Sequence, residues 1–331
     1  MNASVIGGGS WGSAFALHLG RNGIRTKLWI REPDIFEAAV RERENPVFLS
    51  SFKFPPEVAF HHGLEDAVRS ADIIFLAVPS QFCRKVLLRL APHLTAGQSV
   101  VSLAKGIEKK TLLRMSEIMA EVFGPFASPR IGVLSGPSFS REVAQGHPTA
   151  LVLASTDLRW ARRAQHLLSS PSLRIYTSRD LVGVEIAGAL KNVIAIAAGI
   201  NDSLQFGDNA RAALMTRGLA EITRLGVKLG AKKETFLGLA GIGDLVLTCT
   251  GRLSRNRHVG AELGKGRSLS SIIAGMRMVA EGIATTLSAR RLAFREGVEM
   301  PIFDQVYQIL YHNKEPGKAL ADLMSRTLKG E

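Results

Sequence analysis

Short apolar segments alternate with amphipathic segments through the first half of the chain. The apolar segments are strand-length and often β-branched, and several are separated by segments with apolar residues at helical spacing. The predicted strands are Ala3–Ile6, Lys27–Ile30, Ile73–Ala77, Ser99–Ser102, Ile131–Leu134, Ala150–Ala154 and Leu173–Tyr176. The predicted helices include Trp11–Asn22, Ser80–Ala91 and Leu112–Phe123. This alternation predicts a parallel sheet covered by helices.

From about Leu181 onward the strand pattern fades and the helical pattern continues. The predicted helices here are Arg211–Leu229, Leu269–Met278, Ala284–Arg295 and Ile302–His312. Glycines 230, 264 and 297 stand where helix ends are expected, and Pro301 and Pro316 stand where helices begin. The whole pattern predicts an α/β fold: a Rossmann-like, doubly wound, mostly parallel sheet in residues 1–180, followed by an all-helical C-terminal domain in residues 181–331.

One apolar segment, Val182–Ile200, has about the length of a membrane span. It contains Glu185, Lys191 and Asn192, and much of the remainder is Ala or Gly. An ion at the bilayer centre costs roughly 2.5–3.5 kcal/mol, which weakly apolar side chains do not offset. We therefore predict a helix buried inside the protein and no integral membrane segment.

Composition narrows the class of protein. The 331 residues are 46% hydrophobic and 21% charged, which is typical of a globular chain long enough for two domains. The two cysteines have neither a disulfide pattern nor metal-ligand spacing, and the apolar start is a strand rather than a secretory leader. We expect no metal and a reducing, cytoplasmic compartment.

The net charge of +13 favours anionic partners. The basic residues are scattered, however, and aromatic residues make up only 6% of the chain, so the sequence does not indicate a base-stacking surface for nucleic acid. A small phosphorylated metabolite and a phosphate-bearing cofactor need only a few local cations, and we expect partners of that kind.

A glycine fingerprint follows the first predicted strand. Gly7, Gly9 and Gly12 form a G-x-G-x-x-G pattern between a strand and a helix. In that context the glycines allow a tight turn, close approach of a pyrophosphate, and packing of the helix on the strand. The helix N-terminus adds free N–H groups and a partial positive charge. The pattern predicts a dinucleotide site, and a plain flexible turn is the alternative.

Lys191 is the second informative residue. Its neighbours one turn away, at positions 187, 188, 194 and 195, are small or apolar, so a substrate could approach it. Burial depresses the pKa of a lysine, as a proton-transferring amine requires. The alternative is a lysine that reaches solvent or pairs with Glu185.

Three further sets of residues could bind a substrate or take part in catalysis. Asp244 follows a glycine-rich stretch and could hold Lys191 or a hydroxyl, although it could equally be a helix N-cap. Ser254-Arg255-Asn256 begins a short predicted helix, whose N-terminus could bind phosphate or be an ordinary capped end. At the ends of predicted strands lie Lys105, Gly136 and Ser138, which could face a ligand or form plain turns.

These residues occur within motifs of one family, and the chain resembles the bacterial-type NAD(P)-dependent glycerol-3-phosphate dehydrogenases over nearly its whole length. The motifs are Gly7–Gly12 with Trp11, Lys105–Glu108, Leu134–Phe139, Glu185–Asn192, Asn209–Glu221, Gly238–Thr250, Ser254–Arg257 and Val279–Gly282. The resemblance implies reversible reduction of dihydroxyacetone phosphate to sn-glycerol 3-phosphate for glycerophospholipid synthesis. It implies that Lys191 is the general acid and base, Lys105 a second cation, and Asp244 the positioning carboxylate.

The resemblance also implies the ligand contacts. The implied cofactor contacts are Gly7, Gly9, Ser10, Trp11, Gly12, Arg31, Lys105, Ser140, Arg255, Val279 and Glu281. The implied substrate contacts are Lys105, Gly136, Ser138, Lys191, Asn192, Asp244, Ser254, Arg255 and Asn256. Because Arg31 follows the second strand, where an arginine suits a 2′-phosphate, NADP(H) is the preferred cofactor and NAD(H) is possible. The family likeness further implies a homodimer.

Two other functions stay open at this stage. A dehydrogenase of the same two-domain plan could act on a β-hydroxyacid, in which case the cationic site would bind a carboxylate. The charge also permits a non-catalytic NADP sensor or a nucleic-acid binder.

Overall fold

The structure is a computed structural model that describes residues 1–95, 97–124, 129–328 and 330. The chain divides into two compact units. Unit 1 comprises Met1–Lys105 and Leu113–Glu185, and unit 2 comprises Gly106–Leu112 and Ile186–Glu331. The short segment Gly106–Leu112 therefore belongs with the C-terminal helices rather than with the strands that flank it in sequence.

Unit 1 contains an eight-stranded sheet, whose strands are β1 Asn2–Ile6, β2 Arg25–Trp29, β5 Val58–His61, β6 Ile73–Leu76, β7 Ser99–Ser102, β8 Arg130–Ser135, β9 Thr149–Ala154 and β10 Leu173–Ser178. They lie side by side in the order β10-β9-β8-β7-β6-β1-β2-β5. All neighbouring strands are parallel except β8 and β9. The predicted Rossmann-like, mostly parallel sheet is thus confirmed. The strand order reverses at β1, so its carboxyl end and that of β6 form the crevice in which such folds bind ligands.

The helices of unit 1 cover both faces of this sheet. They are α1 Ser10–Arg21, α2 Pro33–Glu42, α3 Leu64–Val68, α4 Ser80–Leu90, α5 Met115–Phe123, α6 Ser140–Gln145 and α7 Leu158–Leu168. Successive strand residues face opposite sides. Accordingly, Val5 and Phe75 pack in one core and Ile6 and Ile74 in the other. This two-sided burial explains why the strands are continuously apolar.

The sequence pattern located every predicted strand to within two residues but missed smaller elements. It missed the edge strand β5 and the antiparallel pair β3 (Glu44–Asn45) and β4 (Leu49–Lys53). All three strands are short, and β4 is mostly exposed, so none of them shows the apolar run of a central strand. The predicted helix Leu112–Phe123 begins only at Met115, where the Glu117 carboxylate accepts from Arg114 N at 2.8 Å and so caps the helix start.

In unit 2, the regular secondary structure of the described residues consists of helices joined by loops. Its helices are α8 Leu181–Ser203, which begins in unit 1, α9 Gly207–Lys228, α10 Asp244–Thr250, α11 Arg255–Gly264, α12 Leu269–Ala274, α13 Glu281–Glu296, α14 Pro301–His312 and α15 Pro316–Met324. The predicted starts at Pro301 and Pro316 and the cap at Gly297 are confirmed. Helix α11 ends at Gly264, as predicted, although the cap residue is Lys265 rather than the glycine itself. The predicted helix Leu269–Met278 already ends at Ala274.

Helix α8 passes the length and composition test for a membrane span, yet 83% of its most apolar window is buried inside the protein. It packs backbone to backbone on α11. A Cβ on Gly199 would lie 1.9 Å from the Arg257 carbonyl oxygen, and one on Gly260 would lie 1.9 Å from that of Ile196. Only glycine permits this approach, which fixes α11 beside the helix that carries Lys191.

Candidate active site

The glycine loop in unit 1 connects β1 to α1. Gly7 has φ +125°, a conformation that L side chains rarely adopt. A Cβ on Gly12 would lie 2.0 Å from the Gly7 carbonyl oxygen, so the loop closes tightly on the first turn of α1. A Cβ on Gly9 would meet no described atom within 4 Å. Gly9 therefore leaves open space at the N-terminus of α1, as a pyrophosphate requires, and the loop fits a dinucleotide.

A buried amide that the sequence analysis missed supports this loop. Asn45 donates from Nδ2 to the Gly8 carbonyl oxygen at 2.7 Å and to Ser13 Oγ at 2.9 Å, while its Oδ1 accepts from Phe48 N at 3.0 Å. Ser13 Oγ also donates to the Gly8 carbonyl at 3.2 Å. A single asparagine in the two-residue strand β3 carries no sequence signal for such a role.

Three further predicted cofactor residues lie in unit 1. Ser10 and Trp11 open α1, and the Trp11 ring lies 5.7 Å from that of Phe15. Arg31 follows β2, is exposed, and donates from Nε to Glu32 Oε1 at 3.0 Å. Because the pair is exposed, a 2′-phosphate could compete with Glu32 for the guanidinium.

The carboxyl ends of β7 and β8 bring together three other predicted residues. Lys105 Nζ and Ser138 Oγ each donate to the Gly136 carbonyl oxygen at 3.0 Å. Gly136 has φ +138°, and a Cβ there would lie 3.1 Å from the Ala150 carbonyl oxygen. The predicted residue Ser140 opens α6 just beyond this turn. The Lys105 ammonium and the Ser138 hydroxyl thus lie together at the carboxyl ends of adjacent strands, where such sheets bind ligands.

Lys191 is buried in unit 2, where it is only 6% exposed. Its Nζ donates to Asp244 Oδ1 and, at 2.6 Å, to Thr248 Oγ1. Both alternatives from the sequence are therefore wrong: Lys191 does not reach solvent, and Glu185 is not its partner. Glu185 instead accepts from Arg114 Nη1 at 2.5 Å and from Ser116 Oγ at 2.6 Å.

Asp244 is the first residue of α10 and is 1% exposed. The N-cap is Gly243, so the alternative of an Asp244 cap is wrong. A Cβ on Gly241 would lie 2.1 Å from the Phe236 carbonyl oxygen, so glycine lets the preceding stretch fold tightly. Thr248 lies one turn after Asp244 on the same helix face, a spacing that could have identified it, but the sequence analysis missed it.

A buried amide chain joins α8, α11 and α13. Asn256 Nδ2 donates to Asn192 Oδ1 at 2.8 Å, and Asn256 Oδ1 accepts from Gly282 N at 2.9 Å. A Cβ on Gly282 would lie 2.7 Å from the Asn192 carbonyl oxygen, so α13 begins in direct contact with α8. Asn192, next to Lys191, is thereby held in one orientation.

The start of α11 carries the other predicted residues. Ser254 caps this helix by accepting from Arg257 N at 3.2 Å, which confirms the predicted helix start. Arg255 is exposed and donates from Nη1 to the Val279 carbonyl at 2.9 Å. Glu281 begins α13 two residues beyond Val279. Within unit 2 the structure thus brings an arginine and a capped helix N-terminus to the segment 279–281.

Burial changes the chemistry available near Lys191. It raises the pKa of the Cys249 thiol to about 12, so this cysteine carries no thiolate at neutral pH. The groups at this site that can exchange protons or bind anions are therefore amine, carboxylate, hydroxyl and guanidinium. They suit proton transfer to an oxygen beside a bound anion.

Two family models together match nearly the whole chain. Residues 2–161 match the N-terminal part, and residues 180–321 the C-terminal part, of the NAD-dependent glycerol-3-phosphate dehydrogenases. The chain belongs to this family. Glycerol-3-phosphate dehydrogenase, NAD(P)+, of Syntrophotalea carbinolica is 52% identical over 331 residues, covering 100% of this chain and 99% of the relative. That of Geobacter sulfurreducens is 52% identical over 327 residues, covering 99% and 98%.

Solved structures agree with the family fold. The crystal structure of glycerol-3-phosphate dehydrogenase from Coxiella burnetii has a TM-score of 0.94 and 37% identity, and the match covers 98% of this chain and 99% of that one. A ketopantoate reductase from Ralstonia eutropha has a TM-score of 0.65 and 16% identity, with 97% and 100% coverage. At that identity the second likeness concerns the fold alone.

Proposed function

We propose that the chain catalyses reversible reduction of dihydroxyacetone phosphate to sn-glycerol 3-phosphate with NAD(P)H, and so supplies the backbone of glycerophospholipids. Family membership supports the reaction. The observation that carries it is the buried Lys191 with Asp244 and Thr248. Reducing a ketone requires a hydride at the carbon and a proton at the oxygen, so a positioned acid is needed.

In this reaction Lys191 moves the proton. As an ammonium it gives a proton to the C2 oxygen during reduction, and as an amine it takes the hydroxyl proton during oxidation. Asp244 and Thr248 hold Nζ in place, and Lys105 adds a second cation for the substrate oxygen. The nicotinamide, when bound, supplies the hydride in one direction and accepts it in the other.

The phosphate is bound at the start of α11. Arg255 supplies a guanidinium, which matches phosphate oxygens in charge and geometry, and Ser254 caps the helix end whose partial positive charge favours an anion. Asn256 uses both ends of its amide on Asn192 and Gly282, so its part is to orient Asn192. Gly136 and Ser138 complete the proposed substrate contacts.

The cofactor is bound by the N-terminal part of the chain. We assign residues 1–180 as the dinucleotide-binding domain and residues 181–331 as the helical substrate-binding and catalytic domain. Open space at Gly9 supports a pyrophosphate there, and exposed Arg31 supports NADP(H) as the preferred cofactor with NAD(H) as a second.

A homodimer in the cytoplasm is the proposed working form. The family likeness supports the dimer, and two buried free cysteines suit a reducing compartment. The proposed partner is a small phosphorylated metabolite rather than nucleic acid.

The function is tested by following NADPH and NADH absorbance with three substrates at equal concentration. These are dihydroxyacetone phosphate, unphosphorylated dihydroxyacetone and a phosphate-free β-keto acid. We expect turnover of the phosphorylated ketone to exceed that of the other two by at least about a hundredfold, because the charged contacts to phosphate are lost. Similar rates with the phosphorylated and the unphosphorylated ketone would show that the protein has no phosphate-binding site. Faster reduction of the keto acid would indicate that the protein is a β-hydroxyacid dehydrogenase instead.

A further inference from the structure

Helix α7 of unit 1 has a solvent face with an unusual charge pattern. Arg159, Arg162, Arg163 and Leu167 are spaced at i, i+3, i+4 and i+8, which places them on one helix face, and all four are exposed. We call these four residues the α7 surface. The opposite face, with Ala161, Ala164 and Leu168, packs in the core against the sheet.

The positive charge of this surface is not balanced locally. Helix α7 contains no acidic residue, and among the described ion pairs none involves its three arginines. The N-cap carboxylate, Asp157, is paired with Arg130 at 3.3 Å. By comparison, the exposed face of α2 mixes Asp34, Glu37 and Glu42 with Arg41. The α7 surface therefore differs from an ordinary solvated helix face.

Helix stability does not explain these arginines. Arg159 lies in the first turn, where the helix dipole disfavours a cation, and like charges three or four residues apart repel each other. Helix α1 contacts the C-terminal end of α7, where His18 Nε2 lies 2.9 Å from the Leu168 carbonyl oxygen. The exposed Arg21 of α1 donates to the Ala144 carbonyl oxygen, which is a neutral partner.

We propose that the α7 surface docks the protein on an anionic phospholipid bilayer. Basic side chains on a convex helix face complement a negatively charged leaflet, and each contributes about fivefold to binding. Leu167 is 50% exposed among the arginines and can enter the headgroup boundary. Nucleic acid is the less fitting partner, because Trp160, the one Trp, Tyr or Phe of α7, is half-buried and packs near Gly132 instead of offering a stacking face.

Vesicle sedimentation tests this proposal. The full-length protein is mixed at low salt with vesicles of phosphatidylcholine alone or with about one third phosphatidylglycerol. We expect binding only to the anionic vesicles and its loss at high salt. Replacing Arg159, Arg162 and Arg163 with Gln should weaken binding about a hundredfold. Leu167→Ser should weaken it about fivefold.

The matched control removes three arginines elsewhere. Arg41→Gln, Arg69→Gln and Arg295→Gln lower the net charge equally but remove cations that are already paired with glutamates. This control should bind within about threefold of the parent, and both triple variants should keep their turnover of dihydroxyacetone phosphate, since none of these residues is placed at the site. Equal loss in both triple variants would overturn the proposal in favour of net charge alone.

A short DNA duplex is the competing ligand. Tighter binding to the duplex than to anionic vesicles, with no effect of Leu167→Ser, would also overturn the proposal and indicate nucleic acid. Absence of binding to anionic vesicles would overturn it directly, without affecting the proposed enzyme activity.

Discussion

Lys191 has its counter-charge 53 residues away in sequence, on Asp244. Removing one member of a buried pair leaves the other charge unpaired, which costs about 3–5 kcal/mol of stability. A loss of activity in a single variant can therefore come from misfolding as well as from the missing proton donor, and the two effects must be measured separately.

We expect Lys191→Ala to lower kcat for dihydroxyacetone phosphate by about 10²–10⁴, because it removes the general acid. Lys191→Ala combined with Asp244→Ala should recover part of the thermal stability without recovering turnover. Steady-state kinetics and the melting temperature of each variant provide the measurement. Activity of Lys191→Ala within tenfold of the parent would show that another group donates the proton.

Arg31 and Glu32 give a second residue-scale prediction. Arg31→Ser should raise KM for NADPH about tenfold and leave KM for NADH within twofold, because a charge-assisted contact to the 2′-phosphate is lost. Glu32→Gln, which removes the carboxylate that now holds the guanidinium, should lower KM for NADPH. Equal effects on the two cofactors would show that Arg31 does not select between them.

At the scale of elements, one carboxylate links two helices. Glu221 on α9 is buried and accepts from Ile302 N at 3.0 Å and Phe303 N at 3.4 Å, at the start of α14. Burial raises its pKa from 4.5 to about 7, although these N–H groups oppose the shift. Between these values the folded protein holds a proton that the unfolded chain releases, so stability falls as pH rises.

The expected consequence is a pH-dependent free energy of unfolding. From pH 4.5 to above 7 the parent should lose about 3 kcal/mol more than Glu221→Gln, whose side chain does not titrate. Exposed Glu234→Gln is the control and should follow the parent. Urea unfolding at several pH values measures the difference, and parallel curves for the parent and Glu221→Gln would contradict the assignment.

Strands that are buried on both faces were predicted correctly from the sequence, whereas partly exposed elements were missed. Central strands such as β6 are apolar on both faces and were found almost to the residue. Strand β4 is mostly exposed, and the glycine-rich stretch before Asp244 folds tightly at Gly241 against the Phe236 carbonyl oxygen. Site residues such as Lys191 and Asp244 could be listed from motifs, whereas their contact could not.

At the scale of the whole molecule, one helix among the described residues, α8, is long and apolar enough to cross a membrane. Helix α8 is 83% buried in its most apolar window. We therefore expect a high-salt wash of cell membranes to release all of the protein without detergent. Immunoblots of washed membranes measure this, with an integral membrane protein as the reference. Retention after the wash would show that α8 is inserted.

By itself, the sequence determined the alternation of strands and helices, the glycine turn and the candidate catalytic and binding residues, because these depend on local periodicity and on motif spacing. Only the tertiary structure decided that Lys191 pairs with Asp244 rather than Glu185, that Thr248 joins them, and that Asn45 supports the glycine loop. Those contacts join residues far apart in the chain. They exist because packing brings particular faces of distant elements together, as the close approach at Gly199 and Gly260 does for α8 and α11.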